Sequence, residues 1–331
     1  MKPAGTLLLT RSEVAALLDL DACIGVVEQA FRLHGEGKTR PPGILGFPYP
    51  DGGCHIKAAG LDLDRRYFAV KTNGNFFRNM ERFGMPAIQG VIALCDGENG
   101  YPLALLDSIE ITIARTGAAT AVAAKHLARR DSAVATICGC GNQGRVQLRA
   151  ITRACPIQRA YAFDTNEEQA IRLARQLSGE LRIRVEAVTD LPKAVRASDI
   201  CVTCTPSRRA FLRRGDVMPG TFVAAVGADS PEKQELEPEL LASAKVVADI
   251  LEQSATIGEL HHALEQGLMS RDRVHAELGE VIAGRRPGRQ SDAEIIVFDS
   301  TGIALEDVAA AVLVYEKAVS AGAGRTVDLA G

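Results

Sequence analysis

The period of the apolar positions changes along the chain, and each change marks an element. The first segment reads as helical: Ser12 is placed to cap a short helix through Leu18, and Asp21 to cap a second through Leu33. Gly35 and Gly37 are placed to end it, and Arg40-Pro41-Pro42-Gly43 reads as a break. From Gly52 to about Leu106 the pattern is that of strands. Tyr67-Phe68-Ala69-Val70-Lys71 is an extended run ending in a lysine, and Val91–Cys95, the turn Asp96–Gly100 and Tyr101–Leu106 predict a hairpin. Ser108 then stands before a long helix to about Leu127, rich in small residues over Thr116–Ala121.

From Ser132 strands alternate with helices. Strands are predicted at Ala133–Cys138, Arg159–Phe163, Ile183–Val188, Ile200–Thr205, Phe222–Val226 and Lys245–Asp249, with helices such as Asn166–Leu177 and Leu191–Ala197 between them. That alternation predicts a parallel sheet covered on both faces. Ile295–Phe298 is a further strand, and a last helix, about Ala304 to Val319, carries apolar surface expected to return to the first domain. The fold class is therefore α/β: a Rossmann-type parallel sheet domain over residues 121–302, and an α+β domain from residues 1–120 with 303–331.

One loop carries candidate chemistry. Ala133 to Gly144 reads AVATICGCGNQG, with Gly139, Gly141 and Gly144 in the order G-x-G-x-x-G between a strand and a helix. The first glycine permits the tight turn, the second lets backbone approach a pyrophosphate, and the third lets the helix pack on the strand. The next strand ends at Asp164, 20 residues past Gly144, where an acid binds the adenosine ribose hydroxyls. Thr165-Asn166 follows with no arginine at the tip, which favours NAD over NADP while leaving NADP open.

Composition narrows the class. The chain has 331 residues, 38 Lys and Arg against 41 Asp and Glu, a net charge of −3, and 47% apolar residues. This balance argues against nucleic-acid and membrane-surface partners, and the short apolar stretch in MKPAGTLLLTRSEV against a signal peptide. Eight cysteines in a long chain, several inside apolar runs, are expected to be reduced thiols of a cytoplasmic protein. Cys201-x-x-Cys204 lies in a predicted buried strand, where residues three apart face opposite sides, so both read as small buried groups. His261-His262 are adjacent and poorly spaced for one metal, and no metal site is expected.

The chain resembles the ornithine cyclodeaminase/mu-crystallin family over nearly its whole length, closest in pattern to the alanine-dehydrogenase-like members. The resemblance rests on Phe68-Ala-Val-Lys71 with Asn73-Gly74, Tyr101–Asp107, Ala114-Arg115-Thr116-Gly117-Ala118-Ala119, and Gly139-Cys-Gly-Asn142-Gln143-Gly144. Val226–Leu236, Gly279–Gly284 and Phe298-Asp-Ser-Thr-Gly302 complete it. It implies a homodimer in which the first domain binds the substrate and dimerises, and hydride transfer at the Cα–N bond of an L-amino acid or its imine. It implies Lys71 and Asp229 as catalytic groups, and Arg115 as the grip on the substrate carboxylate. Asn142 and Gln143 join the glycines at the cofactor, Thr205 and Ser207 border it, and Ser300, Thr301 and Gly302 line the nicotinamide.

The pattern also departs from the family. An arginine that members often carry is absent from Cys54-His55-Ile56-Lys57-Ala58-Ala59, where Lys57 and His55 are the candidate replacements. Gly43 stands where ornithine-specific members carry arginine, and Ala87 where relatives often carry threonine. These changes argue against ornithine as substrate. Three activities remain in view. The first is an amino-acid dehydrogenase or ketimine reductase. The second is a cyclodeaminase-type ammonia lyase using NAD catalytically. The third is a mu-crystallin-like protein that binds NAD(P)H without turnover.

Overall fold

In the computed structural model, which describes residues 5–76 and 78–329, two units are resolved: Met1–Arg115 with Ile303–Gly331, and Thr116–Gly302. The first four residues, part of the stretch weighed as a leader, lie outside the described residues.

The first unit opens with β1 (Thr6–Leu9), α1 (Arg11–Leu17) and α2 (Leu20–Gly35). Both caps lie two residues before the expected ones. Thr10, not Ser12, caps α1, because Glu13 three residues on returns its carboxylate to the Thr10 amide at 2.8 Å. Ser12 has Ala15 at that offset and cannot close the box. Asp19, not Asp21, caps α2 by accepting from the Ala22 amide at 2.8 Å, which leaves Asp21 in the first turn.

Five strands follow: β2 (Gly43–Tyr49), β3 (Gly52–Asp62), β4 (Arg66–Asn75), β5 (Ile88–Asp96) and β6 (Pro102–Asp107), with α3 (Asn79–Phe83) before β5. The expected break at Gly43 is instead the start of β2. This strand pairs with β3 alone at the sheet edge, where Gly46 and Pro48 are tolerated. Register sorts the side chains. Ile44, Lys57, Lys71, Ile92 and Leu106 form one row across β2 to β6, and Leu45, Ile56, Thr72, Val91 and Asp107 form the next, on the opposite face. Ser108 does not cap α4 (Ile109–Leu127) with its side chain. Its hydroxyl donates to Asn73 Oδ1 at 2.6 Å, and Asp107 accepts from the Ile109 amide at 2.9 Å.

The second unit winds around β7 (Val134–Cys138), α5 (Asn142–Ala154), β8 (Arg159–Phe163), α6 (Glu167–Leu181), β9 (Arg184–Ala187), α7 (Leu191–Arg196) and β10 (Ile200–Thr203). Next come β11 (Arg208–Leu212), β12 (Phe222–Ala225), β13 (Gln234–Leu236), α8 (Pro238–Ser243) and β14 (Lys245–Ala248). The unit ends with α9 (Leu251–Ile257), α10 (Glu259–Glu265), β15 (Ala276–Glu277), α11 (Leu278–Ile282) and β16 (Ile296–Asp299). Eight parallel strands stand in the order β15-β14-β16-β12-β10-β7-β8-β9. From β7 the chain runs outward through β8 and β9, then returns to the other side of β7 at β10. That reversal is the switch point of a Rossmann sheet, where ligands bind beyond the strand carboxyl ends. Cys204 lies one residue past β10 rather than within it, while Cys201 is fully buried.

The chain closes with α12 (Ala304–Ala321) and β17 (Arg325–Val327), both in the first unit. α12 packs on α2 and on one face of β3 and β4. Among the described residues, no helix is long and apolar enough to cross a membrane.

Candidate active site

Lys57 and Lys71 lie directly opposite each other on β3 and β4, on the face that α12 covers. Two like charges side by side on a covered face are unfavourable unless an anion joins them. The first turn of α12 supplies it. Asp307 accepts from Lys71 Nζ at 2.7 Å and from Arg115 Nε at 3.0 Å, and Glu306 accepts from Arg115 Nη1 at 2.9 Å. All five side chains are buried. With these five groups ionised, three cations face two carboxylates. Burial, offset in part by Asp307, lowers the Lys71 pKa to about 7, and Arg115 and Lys57 push it the same way. Burial would raise Asp307, but Lys71, Arg115 and Lys57 outweigh it and hold the carboxyl below its ordinary range. Burial likewise opposes the charge on Arg115, and Asp307 with Glu306 outweighs it, so this pKa is raised.

The structure thus brings Lys57, Lys71 and Arg115 together. His55, two residues before Lys57 on β3, is half-buried and pairs in register with Asn73. Sequence reasoning did not single out Glu306 and Asp307. The signal was present: two adjacent acids inside the otherwise apolar run Ala304–Val314, which has no solvent face to receive them.

In the second unit the glycine loop has the form its sequence calls for. Gly139 has φ +98°, and a Cβ on Gly144 would lie 2.0 Å from the Gly139 carbonyl oxygen. A Cβ on Gly141 would meet nothing within 4 Å, so no other part of the protein crowds the loop at that point. Gly141 is also the N-cap of α5 and offers no side-chain cap, so the first-turn amides at Asn142 and Gln143 stand at a helix end that favours an anion. An open cradle on a 13-residue helix fits a dinucleotide pyrophosphate. Asp164 lies beside this loop. Its Oδ2 accepts from the Cys140 amide at 2.8 Å and its Oδ1 from the Asn166 amide at 2.9 Å.

The other candidates lie beyond the carboxyl ends of the same sheet. Thr205 follows β10, and its amide donates to Glu235 Oε1 at 2.6 Å. Glu235 Oε2 accepts from the Gly227 amide at 3.0 Å, so one buried carboxylate joins the β10 and β12 loops. Ser207 donates its amide to Thr205 Oγ1. Asp229 is half-exposed and pairs with Lys233 at 2.5 Å. Ser300, Thr301 and Gly302 follow β16, where Asp249 accepts from the Thr301 and Gly302 amides at 2.6 and 2.8 Å. His261, His262 and Glu265 bring three donor atoms within 4.8 Å, the only such group among the described residues. His262 Nε2, however, is hydrogen-bonded to the Lys233 carbonyl at 2.8 Å.

Comparison with known proteins agrees with this architecture. The family model described as "Ornithine cyclodeaminase/mu-crystallin family" matches residues 4–322. An alanine dehydrogenase from Archaeoglobus fulgidus is 38% identical over 97% of this chain and 98% of its own length. A solved archaeal alanine dehydrogenase dimer with bound NAD superposes with a TM-score of 0.94 at 38% identity, covering 98% of this chain and 99% of that one. The Δ1-pyrroline-2-carboxylate reductase of Thermococcus litoralis, solved with NADH and L-proline, gives 0.92 at 34% identity over 97% and 100%. The Paracoccus denitrificans iminosuccinate reductase, solved with NAD+, gives 0.90 at 30% over 98% and 100%. With a family match across nearly its whole length and relatives this similar over full length, the chain belongs to the ornithine cyclodeaminase/mu-crystallin family.

Proposed function

We propose that this protein is an NAD-dependent oxidoreductase that interconverts an L-amino acid with its imine, as an amino-acid dehydrogenase or ketimine reductase. The observation that carries this reading is the buried cluster of Lys57, Lys71 and Arg115 against Glu306 and Asp307. Its guanidinium and amines suit a substrate carboxylate, and Lys71, with a pKa of about 7, holds or releases a proton at neutral pH. The relatives named above act on an alanine, an iminosuccinate and a cyclic imine, all of which carry a carboxylate beside the reacting carbon.

The Gly139–Gly144 loop, the α5 N-terminus and Asp164 would hold NAD, with Thr205, Ser207 and Ser300–Gly302 along the rim. The bound dinucleotide supplies a hydride acceptor or donor. In this reading Arg115 and Lys57 hold the substrate carboxylate. Lys71 takes a proton from the substrate amine or its attacking water in the oxidative direction, and returns one in the reductive direction. Asp229 serves as a second acid–base group. The protein acts as a cytoplasmic homodimer, a setting that the free cysteines suit.

The test is a paired assay on purified protein with NAD and a panel of L-amino acids, reading NADH and ammonia together, then NADH with cyclic imines and with 2-oxo acids plus ammonia. NADH formed or consumed with a specific substrate is the expected result, with Lys71→Met lowering kcat by about 10²–10⁴-fold. Ammonia released without NADH would replace this reading by a cyclodeaminase. Tight NADH binding with no turnover in either direction would replace it by a binding protein.

A further inference from the structure

Two cations of the cluster meet on one oxygen. Asp307 Oδ1 accepts from both Lys71 Nζ, on β4, and Arg115 Nε, on α4. Three separate elements are therefore tied together at one carboxylate. Lys71 Nζ lies 2.7 Å from the second oxygen as well, and Thr112 Oγ1 is 3.5 Å from Nζ. Asp307 is itself held in place, because it sits in the first turn of α12, whose preceding Ile303 amide donates to Glu306 Oε1 at 3.3 Å. The carboxylate is 3% exposed, so water does not screen it.

We propose that Asp307 is a positioning residue of the reaction centre: its single carboxylate fixes the Lys71 amine and the Arg115 guanidinium relative to each other and keeps Lys71 able to carry a proton inside a cationic site. This role rests on the function proposed above for Lys71 and Arg115. The charged groups facing Lys71 are Lys57 from β3, Arg115 from α4 and Asp307 from α12, with Glu306 behind Arg115, while its neighbour on β5, Ile92, is apolar. Asp307 is the anion that Lys71 contacts directly. Without it, burial, Arg115 and Lys57 would all act against the charged amine.

The consequence has a sign. In the reductive direction Lys71 acts as an acid, and kcat/KM falls as pH rises through its pKa. Asp307→Asn keeps the volume and removes the charge, so the fall moves to lower pH by about 1–3 units. The same displacement is expected in the ¹³Cε resonance of Lys71, followed by NMR on selectively labelled protein and assigned by its loss in Lys71→Arg. A D307N protein whose Lys71 titrates as in the wild type would overturn the role of Asp307, whatever its turnover. A K71R enzyme with wild-type turnover would instead overturn the reading of Lys71, and the Asp307 role with it. Should D307N not fold, Asp307→Glu carries the test. The charge is kept but displaced by one methylene, so the Lys71 titration stays near the wild type while kcat falls about ten-fold or more. D307E with wild-type kcat would overturn the proposal.

Discussion

Three acidic side chains of the nucleotide unit form a ladder in which each carboxylate holds the backbone of the next. Asp299 accepts from the amides of Glu259 and Leu260, Glu259 from those of Glu235 and Leu236, and Glu235 from those of Thr205 and Gly227. All three are buried, so the charged forms lack water, and amide donors replace only part of its effect. Burial lifts the Asp299 pKa from 3.8 to about 7, against the two amides, and the neighbouring Asp249 adds to the rise. A carboxyl raised in this way binds its proton more readily folded than unfolded. Its contribution to stability is fully present below pH 3.8 and is lost as pH rises through about 7. Asp299→Asn should therefore lower the melting temperature at pH 5, by loss of an amide acceptor, with the gap to the wild type narrowing towards pH 8. Calorimetry at several pH values decides this: a constant gap would mean that Asp299 does not titrate in that range.

At the scale of elements, the glycine loop separates folding from binding. Gly144→Ala forces a Cβ onto the Gly139 carbonyl, so α5 must move off β7. This change should cost about 1–3 kcal/mol of stability and weaken NAD binding. Gly141→Ala meets no protein atom and has an ordinary φ of −76°, so it should melt as the wild type does and bind NAD at least about ten-fold more weakly. Calorimetric titration with NAD beside thermal melts checks both, and wild-type affinity in G141A would refute the cradle. The central strands β7, β8, β10, β12, β14 and β16 were legible because each is a short, nearly continuous apolar run between turn residues. Short strands with separated partners were not: β11, β13 and β17 become strands only by pairing, and the edge strand β2, although it pairs with the neighbouring β3, is masked by Gly46 and Pro48. In the candidate site, Lys71 and Arg115 stood out by motif and Lys57 as a replacement for an absent arginine, while Glu306 and Asp307 resembled the acids that commonly open a helix, although the apolar run around them left no solvent face. Packing shows which cations they meet.

At the scale of the whole molecule, the seven-stranded sheet of the first unit carries apolar side chains on both faces, and α12 packs on the face that carries Lys57 and Lys71. The opposite face presents Leu45, Phe47, Phe68 and Val91, which are 60%, 47%, 41% and 53% exposed. Register sets them along the face: Leu45 and Val91 share one row with Ile56 and Thr72, Phe47 lies two residues to one side of that row and Phe68 four residues to the other. Scattered apolar residues are ordinary on a surface, but a continuous sheet face of them marks an interaction site. The homodimer proposed above would seat its second copy on this face. The paired substitution Leu45→Glu with Val91→Glu places charge at both ends of that row, on the edge strand β2 and on β5, without touching the cation row behind it. Sedimentation is expected to give the two-chain mass for the wild type and the one-chain mass for the variant, with NAD still bound. A variant that keeps the two-chain mass would mean that the contact lies elsewhere and that this face has a different partner.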